Sequence, residues 1–371
     1  MSHKILELAQ GMEKGGRTKR IAETTIGLIK HGWQVKVLPM TPAPNWVKER
    51  YAGQFEWLEL NRRPKLDLQY VFRLARLLKQ EQISLVHAHC EASYLYGGLA
   101  CKIRRIPIVG TYHRSDLTYY EPNWRLRTRA RLMTRGVAIS NDRMNLMVKR
   151  LNMSSKDITL IHGGIDLDAF EILPQSRADE LKREFGLENR KILLSVGHLG
   201  PIKGHQVTLQ ALPQILGQFP DVTLVVAGDG SEEDYQRLRK QIEELGLTDH
   251  VRLLGQTHNV QDWLNICDLF VQPSLEEGFG LVFVEAGACK KAVVSTKVGG
   301  IQDIVVDGET GYLVAPGDAD SLASRISELL ANPEQAQAFG SAAFERIHGH
   351  FSLDHMVEKY DSLFHSLLDK Q

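Results

Sequence analysis

Cysteine is scarce in this sequence, and what there is follows no pattern. Cys90, Cys101, Cys267 and Cys289 make no C-x-x-C pair and have no histidine at metal-ligand spacing. No zinc site suggests itself, and free thiols in a reducing compartment are expected rather than disulfides. Long hydrophobic runs are also missing: nothing approaches the ~18 apolar residues that a membrane-spanning helix needs. The amino terminus passes from MSHK straight into ILELA without the apolar core of a signal peptide, so a cytoplasmic location is expected. No low-complexity segment or short-period repeat interrupts the chain, which sets aside solenoids and disordered tails.

What is present is an ordinary globular composition, 43% hydrophobic and 24% charged, over 371 residues, a length that suits two domains better than one core. A net charge of zero conceals an asymmetry. Residues 1–165 hold 28 Lys and Arg against 13 Asp and Glu, and the remainder hold 17 against 32.

Short apolar strands alternate with amphipathic helices along the whole chain. ILELA leads through GMEKGG into a helix ending near Gly32 and then the strand VKVLP. FEWLEL, ISLVHAH, IPIVGTYH, GVAIS and ITLIH follow, with helices between them, one from about Asp67 to Gln80 and one from Trp124 to Met133. The polar segment EILPQSRADELKREFG reads as a connection between domains. A second series then runs through KILLSVG, VTLVVAG, VRLLG, LFVQP, AVVST and GYLVAP. Alternation of this kind predicts two α/β, Rossmann-like domains, each a parallel sheet covered on both faces. The expected boundaries are 1–165 and 166–351, with a last helix over about 352–371; in FSLDHMVEKYDSLFHSLL, Phe351, Met356, Tyr360, Leu363 and Leu367 fall at helical spacing, a stripe that must pack somewhere. The first glycine loop lacks G-x-G-x-x-G spacing, and the second strand ends Leu38, Pro39, Met40 without an acid for a ribose. A dinucleotide cofactor is therefore disfavoured, and no cofactor is expected.

Chemistry concentrates in Leu269–Val294, LFVQPSLEEGFGLVFVEAGACKKAVV. Glu277, Gly278, Phe279 and Gly280 form a turn between a strand and a helix, and Glu285 follows in that helix. A helix beginning near Gly280 offers its first N–H groups, Leu281 among them, to an anion or a sugar edge. Glu285 also reads as compensation of the helix dipole. Lys203, in VGHLGPIKG, lies after the first strand of the second domain and before a helix. There a compact cation suits a diphosphate, or is simply a solvated lysine. His113 stands where IPIVGTYH runs out, at the edge where such sheets bind ligands, or is a satisfied strand-end histidine.

The order G-x-L-x3-K-G, then G-D-G after a strand, E-G-F-G-L-x3-E-A and a V-G-G turn resembles the GT-B glycosyltransferases, in particular the large retaining family 4. The second half carries most of the likeness; the first matches through Gly15 and Gly16, the H-A-H segment ending at His89, His113 and GGID. The resemblance implies two Rossmann-like domains facing across a cleft. It implies that Glu277 and the N–H groups of Phe279, Gly280 and Leu281 hold the donor sugar and diphosphate, and that Glu285 takes the ribose. Lys203 and the backbone of Gly16 would meet the diphosphate, and His113 the transferred sugar. The donor would be a nucleoside diphosphate sugar, uridine rather than guanosine. Transfer would proceed with retention by front-face departure and attack, onto a cell-surface polysaccharide, lipopolysaccharide or lipid-linked glycan.

His198 departs from the pattern, standing where the family has an arginine. A titratable group replaces a bidentate grip on phosphate, so donor binding is expected to weaken above about pH 7. Asp303 and Ala292 replace a glutamate and a proline. No metal is expected, since Asp166/Asp168 and Asp318/Asp320 do not follow a strand in a nucleotide loop, and Asp318 reads as a helix cap. Arginine collects in NRRPK at 61–65, KIRR at 102–105 and WRLRTRARLMTR at 124–135. The last mixes apolar residues with five arginines and suits an interfacial helix on an anionic membrane, or a solvated basic face. Nucleic acid is a poorer partner, for no reading motif accompanies the charge. Two other readings stay open: a sugar-nucleotide epimerase of the same architecture, and a binding protein without turnover.

Overall fold

The computed structural model describes residues 3–13, 16–114, 117–121, 123–257 and 259–369. It divides into two units, 1–163 with 353–371, and 164–352. The division falls two residues before the boundary expected at 165.

The first unit holds β1 (Lys4–Ala9), β2 (Gln34–Pro39), β3 (Glu56–Trp57), β4 (Leu85–Ala88), β5 (Ile108–Tyr112), β6 (Arg135–Ala138) and β7 (Ile158–Leu160). They form one parallel sheet in the order β3-β2-β1-β4-β5-β6-β7. The central strands β1, β4 and β5 are almost wholly buried, as expected when helices cover both faces. One face packs Leu6, Leu8, Val86 and Ile108 against helices Leu68–Gln80 and Glu91–Arg104. Its other face packs Ile5, Leu85 and Val109 against Leu28, Trp33 and the carboxyl-terminal helix Leu353–Leu368. That helix buries Met356, Val357, Tyr360 and Phe364, a stripe at helical spacing. Val357 fits only because residue 27 is glycine; a Cβ there would lie 2.4 Å from Val357 Cγ2.

The second unit holds β8 (Lys191–Val196), β9 (Val222–Ala227), β10 (Val251–Gly255), β11 (Leu269–Gln272), β12 (Val293–Thr296) and β13 (Gly311–Val314), parallel in the order β10-β9-β8-β11-β12-β13. In each sheet the strand order reverses beside the first strand, between β1 and β4 and between β8 and β11. Connections leave such a point in opposite directions and open a crevice at the carboxyl ends of the strands. Both stretches singled out for chemistry, Lys203 with Glu277 and His89 with His113, lie at those ends.

Four expectations need correction. EILPQSRADELKREFG is no connection: Gln175–Glu184 is a helix that buries Ala178 and Leu181, and Phe185 stacks on Trp263 at 4.4 Å. Its polar residues face outward, and two buried positions suffice to seat it. FEWLEL is a strand only over Glu56 and Trp57, with one more backbone bond from Leu58 N–H to the Val37 carbonyl. The arginine-rich helix is short, Trp124–Ala130, and Leu126, Ala130 and Met133 lie in the core while Arg129 pairs with Glu91. Most of its apolar side belongs to the domain, and Trp124 alone of these apolar residues is widely exposed. Phe351 is not on the final helix but in the second unit, buried against Phe279. Among the described residues no helix is long and apolar enough to cross a membrane.

Candidate active site

In the second unit the site is built by close backbone approach. Gly228 lies so near the loop after β8 that a Cβ there would sit 1.8 Å from the Gly197 carbonyl oxygen. The turn at Gly204, with φ of +73°, brings the Lys203 loop against the loop after β11; a Cβ there would sit 1.9 Å from the Pro273 oxygen. Gly300 of the V-G-G turn also comes close, for a Cβ there would sit 2.6 Å from Phe279 Cα. Side chains then fasten the two loops. Gln272 Oε1 accepts from Ser195 Oγ at 2.9 Å and from the Val196 N–H at 3.0 Å, and its amide donates to the Lys203 carbonyl. Leu275 N–H donates to the Ile202 carbonyl at 2.8 Å.

The consequence is that Lys203 and Glu277, 74 residues apart in the chain, meet at 2.5 Å. Glu277 is buried and its second oxygen accepts the Gly278 N–H at 3.1 Å. Both carboxylate oxygens are therefore fixed in direction. Gly280, with φ of +96°, turns the chain into helix Leu281–Ala288, and a side chain there would strike Phe283. Phe279 is buried, anchoring the loop, while Leu281 and Glu285 are half-buried on the helix. His198 is exposed, and its Nδ1 accepts the Gly200 N–H at 2.9 Å. That contact fastens the ring to the turn at Gly200. Behind the loop, His205 is buried between Ser195 Oγ and the His198 carbonyl, and burial pushes it down to about 4.

The first unit has a different construction. A concavity of about 420 Å3 opens at the carboxyl ends of β1, β4 and β5, lined among others by Glu13, Arg17, His89, His113 and Arg114. His113 is half-buried and its Nε2 lies 3.0 Å from His89 Nδ1, the two rings nearly parallel. His89 Nε2 makes a short contact with Glu7, and His87 Nδ1 lies 3.0 Å from the same carboxylate. His87 lies on β4 and His89 one residue past its end, and both rings reach the Glu7 carboxylate. Burial alone would raise the Glu7 carboxyl, yet the two imidazoles outweigh it and hold it down at about 2. Burial pushes His89 down to about 4 and, with His89 and Arg20 nearby, holds His113 well below the histidine range. Glu7, His87 and His89 are close enough to share a cation, but their donors and acceptors pair off among themselves.

Gly16 begins helix Gly16–Lys30, exposed, and a Cβ there would meet nothing within 4 Å. Gly15 lies outside the described residues. Both D-x-D tripeptides serve as caps: Asp318 accepts from Ser321 N–H at 2.9 Å and Asp166 from Asp168 N–H at 3.2 Å. Sequence reasoning missed Glu7 and Gln272. An acid in the middle of the apolar strand ILELA was the available signal for Glu7, because a charge is almost never fully buried without a partner. Gln272 gave no signal beyond its place at a strand end.

Residues 177–346 match the model of glycosyl transferases group 1, and residues 14–169 match that of Glycosyltransferase Family 4. The chain belongs to the family 4 glycosyltransferases of the GT-B fold. It is 29% identical over 313 residues to N-acetyl-alpha-D-glucosaminyl L-malate synthase of Bacillus anthracis, covering 82% of this chain and 80% of that one. It is 31% identical over 213 residues to the lipopolysaccharide core biosynthesis mannosyltransferase LpcC of Rhizobium leguminosarum bv. viciae, covering 57% and 60%. In structure it is similar to Anabaena Alr3699/HepE in complex with UDP, with a TM-score of 0.89 at 23% identity over 98% of this chain and all of that one. This glycosyltransferase therefore shares its fold with a UDP-bound protein, and its transferase class with curated relatives.

Proposed function

We propose that this glycosyltransferase moves a hexose, with retention and without a metal ion, from a nucleoside diphosphate sugar, uridine rather than guanosine, to a glycan or lipid-linked acceptor. The observation that carries the donor half is the Lys203–Glu277 pair at the carboxyl edge of the second sheet. Loss of a sugar nucleotide's diphosphate builds negative charge on the leaving group and positive charge at the anomeric carbon. The Lys203 ammonium answers the first, held by a fixed partner so that little reorganisation is needed when the bond breaks. The backbone N–H groups from Phe279 to Leu281 add to it, and Glu277 and Glu285 hold sugar and ribose hydroxyls. Glutamates placed on one loop and its helix suit the grasp of a donor better than the acid–nucleophile pair of a glycosidase, which must flank the scissile bond. Occupation of both D-x-D tripeptides as caps supports the metal-independent reading.

The acceptor half rests on a surface. Leu66, Leu68, Phe72 and Ile103 are each at least half exposed, and Leu68, Val71, Phe72, Leu99 and Ile103 line a shallow groove of about 420 Å3. Lys102 lines it as well, Leu66 follows NRRPK directly in the chain, and Asp67 is buried and paired with Arg73. Exposed apolar groups with a cation among them fit an anionic bilayer, which would bring the enzyme to a lipid-linked acceptor.

Incubation with UDP- and GDP-hexoses in the absence of acceptor, followed by NMR, tests the donor half. Slow release of UDP with no epimer is expected; epimer formation or binding without turnover contradicts it. For the surface, sedimentation with phosphatidylglycerol but not phosphatidylcholine vesicles at low salt is expected, weakened about tenfold by Phe72→Glu. Equal binding to both vesicles, or a dimer that Phe72→Glu dissociates, removes the membrane.

A further inference from the structure

The imidazoles of the first unit are joined in one chain of contacts whose hydrogen-bond direction can be read. A carboxylate only accepts. Glu7 meets His87 Nδ1 and His89 Nε2, so both nitrogens carry protons. A neutral His87 then has a bare Nε2, which takes the Thr111 hydroxyl proton at 2.7 Å; Thr111 Oγ1 in turn accepts from Tyr360 on the carboxyl-terminal helix at 3.1 Å. A neutral His89 has a bare Nδ1, which must take the proton of His113 Nε2. Every donor along the chain points toward Glu7. The one atom left without an assigned proton is His113 Nδ1, on the ring that lines the concavity.

We propose that Glu7 and His89 are positioning residues that fix His113 as the neutral tautomer with a lone pair on Nδ1, so that this ring accepts a hydrogen bond from a ligand hydroxyl. The assignment has a chemical consequence. A lone pair repels phosphate and carboxylate oxygens and welcomes O–H, so His113 selects a sugar hydroxyl and leaves the diphosphate to cationic groups. Burial of His89, and for the half-buried His113 desolvation with Arg20 and Arg17 nearby, opposes a further positive charge on these two rings. The carboxylate acts two residues away from the ligand, as the outer partners of metal-bound histidines do when they set the tautomer of a ring they orient.

The tautomer itself does not depend on the reading of the donor; only its use on a sugar hydroxyl rests on the proposed function. The test is therefore made first without substrate, on full-length protein labelled with 15N in histidine. His113 is assigned by its loss in His113→Gln. Protonated and bare ring nitrogens resonate far apart, and His113 is expected to show a bare Nδ1 and a protonated Nε2 from about pH 6 to about pH 8. In Glu7→Gln, isosteric but able to donate, the His113 pattern is expected to change. In that variant kcat is expected to fall about tenfold with donor KM within about twofold. A protonated His113 Nδ1 in the wild type overturns the proposal, as does an unchanged His113 spectrum in a folded Glu7→Gln. One equivalent of divalent metal in the purified protein would also overturn it. A correct tautomer with no turnover of any sugar nucleotide would instead fault the donor reading and leave the tautomer standing.

Discussion

At the carboxyl edge of the second sheet the fixed points are backbone atoms, whereas at that of the first they are side chains. Gly197, Gly204, Gly228 and Gly300 bring main chain within reach of main chain, and a single ion pair is set on top of them. The first edge relies on Glu7, His87 and His89, contributed by two strands and wholly buried, with an open concavity in front. Backbone scaffolding fixes a site whose ligand parts do not vary, such as a diphosphate and a ribose. Side-chain scaffolding can be exchanged residue by residue, which suits an edge that must serve different ligands.

The widest gap between the two edges is expected on breaking the ion pair. Lys203→Ala takes from the buried Glu277 its Lys203 partner, and should lower the stability of the second unit by about 3 kcal/mol. Lys203→Met with Glu277→Gln should recover most of that in urea melts, whereas a double variant as unstable as Lys203→Ala would deny the coupling. Glycine replacement comes next. Gly204→Ala drives a methyl into the Pro273 carbonyl at a positive φ and should cost about 2 to 3 kcal/mol, while Gly16→Ala should shift stability by less than about 0.5 kcal/mol. Equal effects on melting would erase the contrast between a backbone edge and an open one.

Acid should reach both edges. His89 and His205 are depressed by burial, so the unfolded chain binds their protons first: stability is complete above about pH 6.5 and declines as pH falls toward 4. About 1 to 2 kcal/mol for each is expected to be gone by pH 5. Glu7, lowered to about 2, adds stability above the carboxylate range that is lost only below about pH 4.5. Urea midpoints at pH 7 and pH 5 should show the loss, and His205→Gln should remove the part that belongs to the second unit. The smallest effect concerns His198. Its Nδ1 accepts from Gly200, so His198→Ala removes one turn contact and should raise the donor dissociation constant by less than about twofold. A tenfold weakening in the variant would give the ring a direct part in holding the donor.

The same contrast explains what the chain discloses on inspection. A close backbone approach demands glycine at a given position, so G-P-I-K-G, E-G-F-G and V-G-G are local strings that can be read from neighbours. Alternation of strands and helices reveals the sheets for a similar reason, since burial on both faces writes itself as short apolar runs. Glu7, His89 and His113 meet across separations of 82 and 24 residues, and no local pattern announces which strand will lie beside which. The helix Gln175–Glu184 escaped because only Ala178 and Leu181 face inward. The helix Trp124–Ala130 is shorter than the arginine-rich string suggested, because its apolar positions Leu126 and Ala130 are spent on its own domain.

The most direct measurement is release of UDP from a UDP-hexose by the wild type and by Glu277→Gln, each shown to be folded by its melting transition. A donor clamp built on Glu277 and Lys203 predicts a loss of at least about 100-fold in kcat/KM for the variant. Turnover equal to the wild type in a folded Glu277→Gln would contradict it.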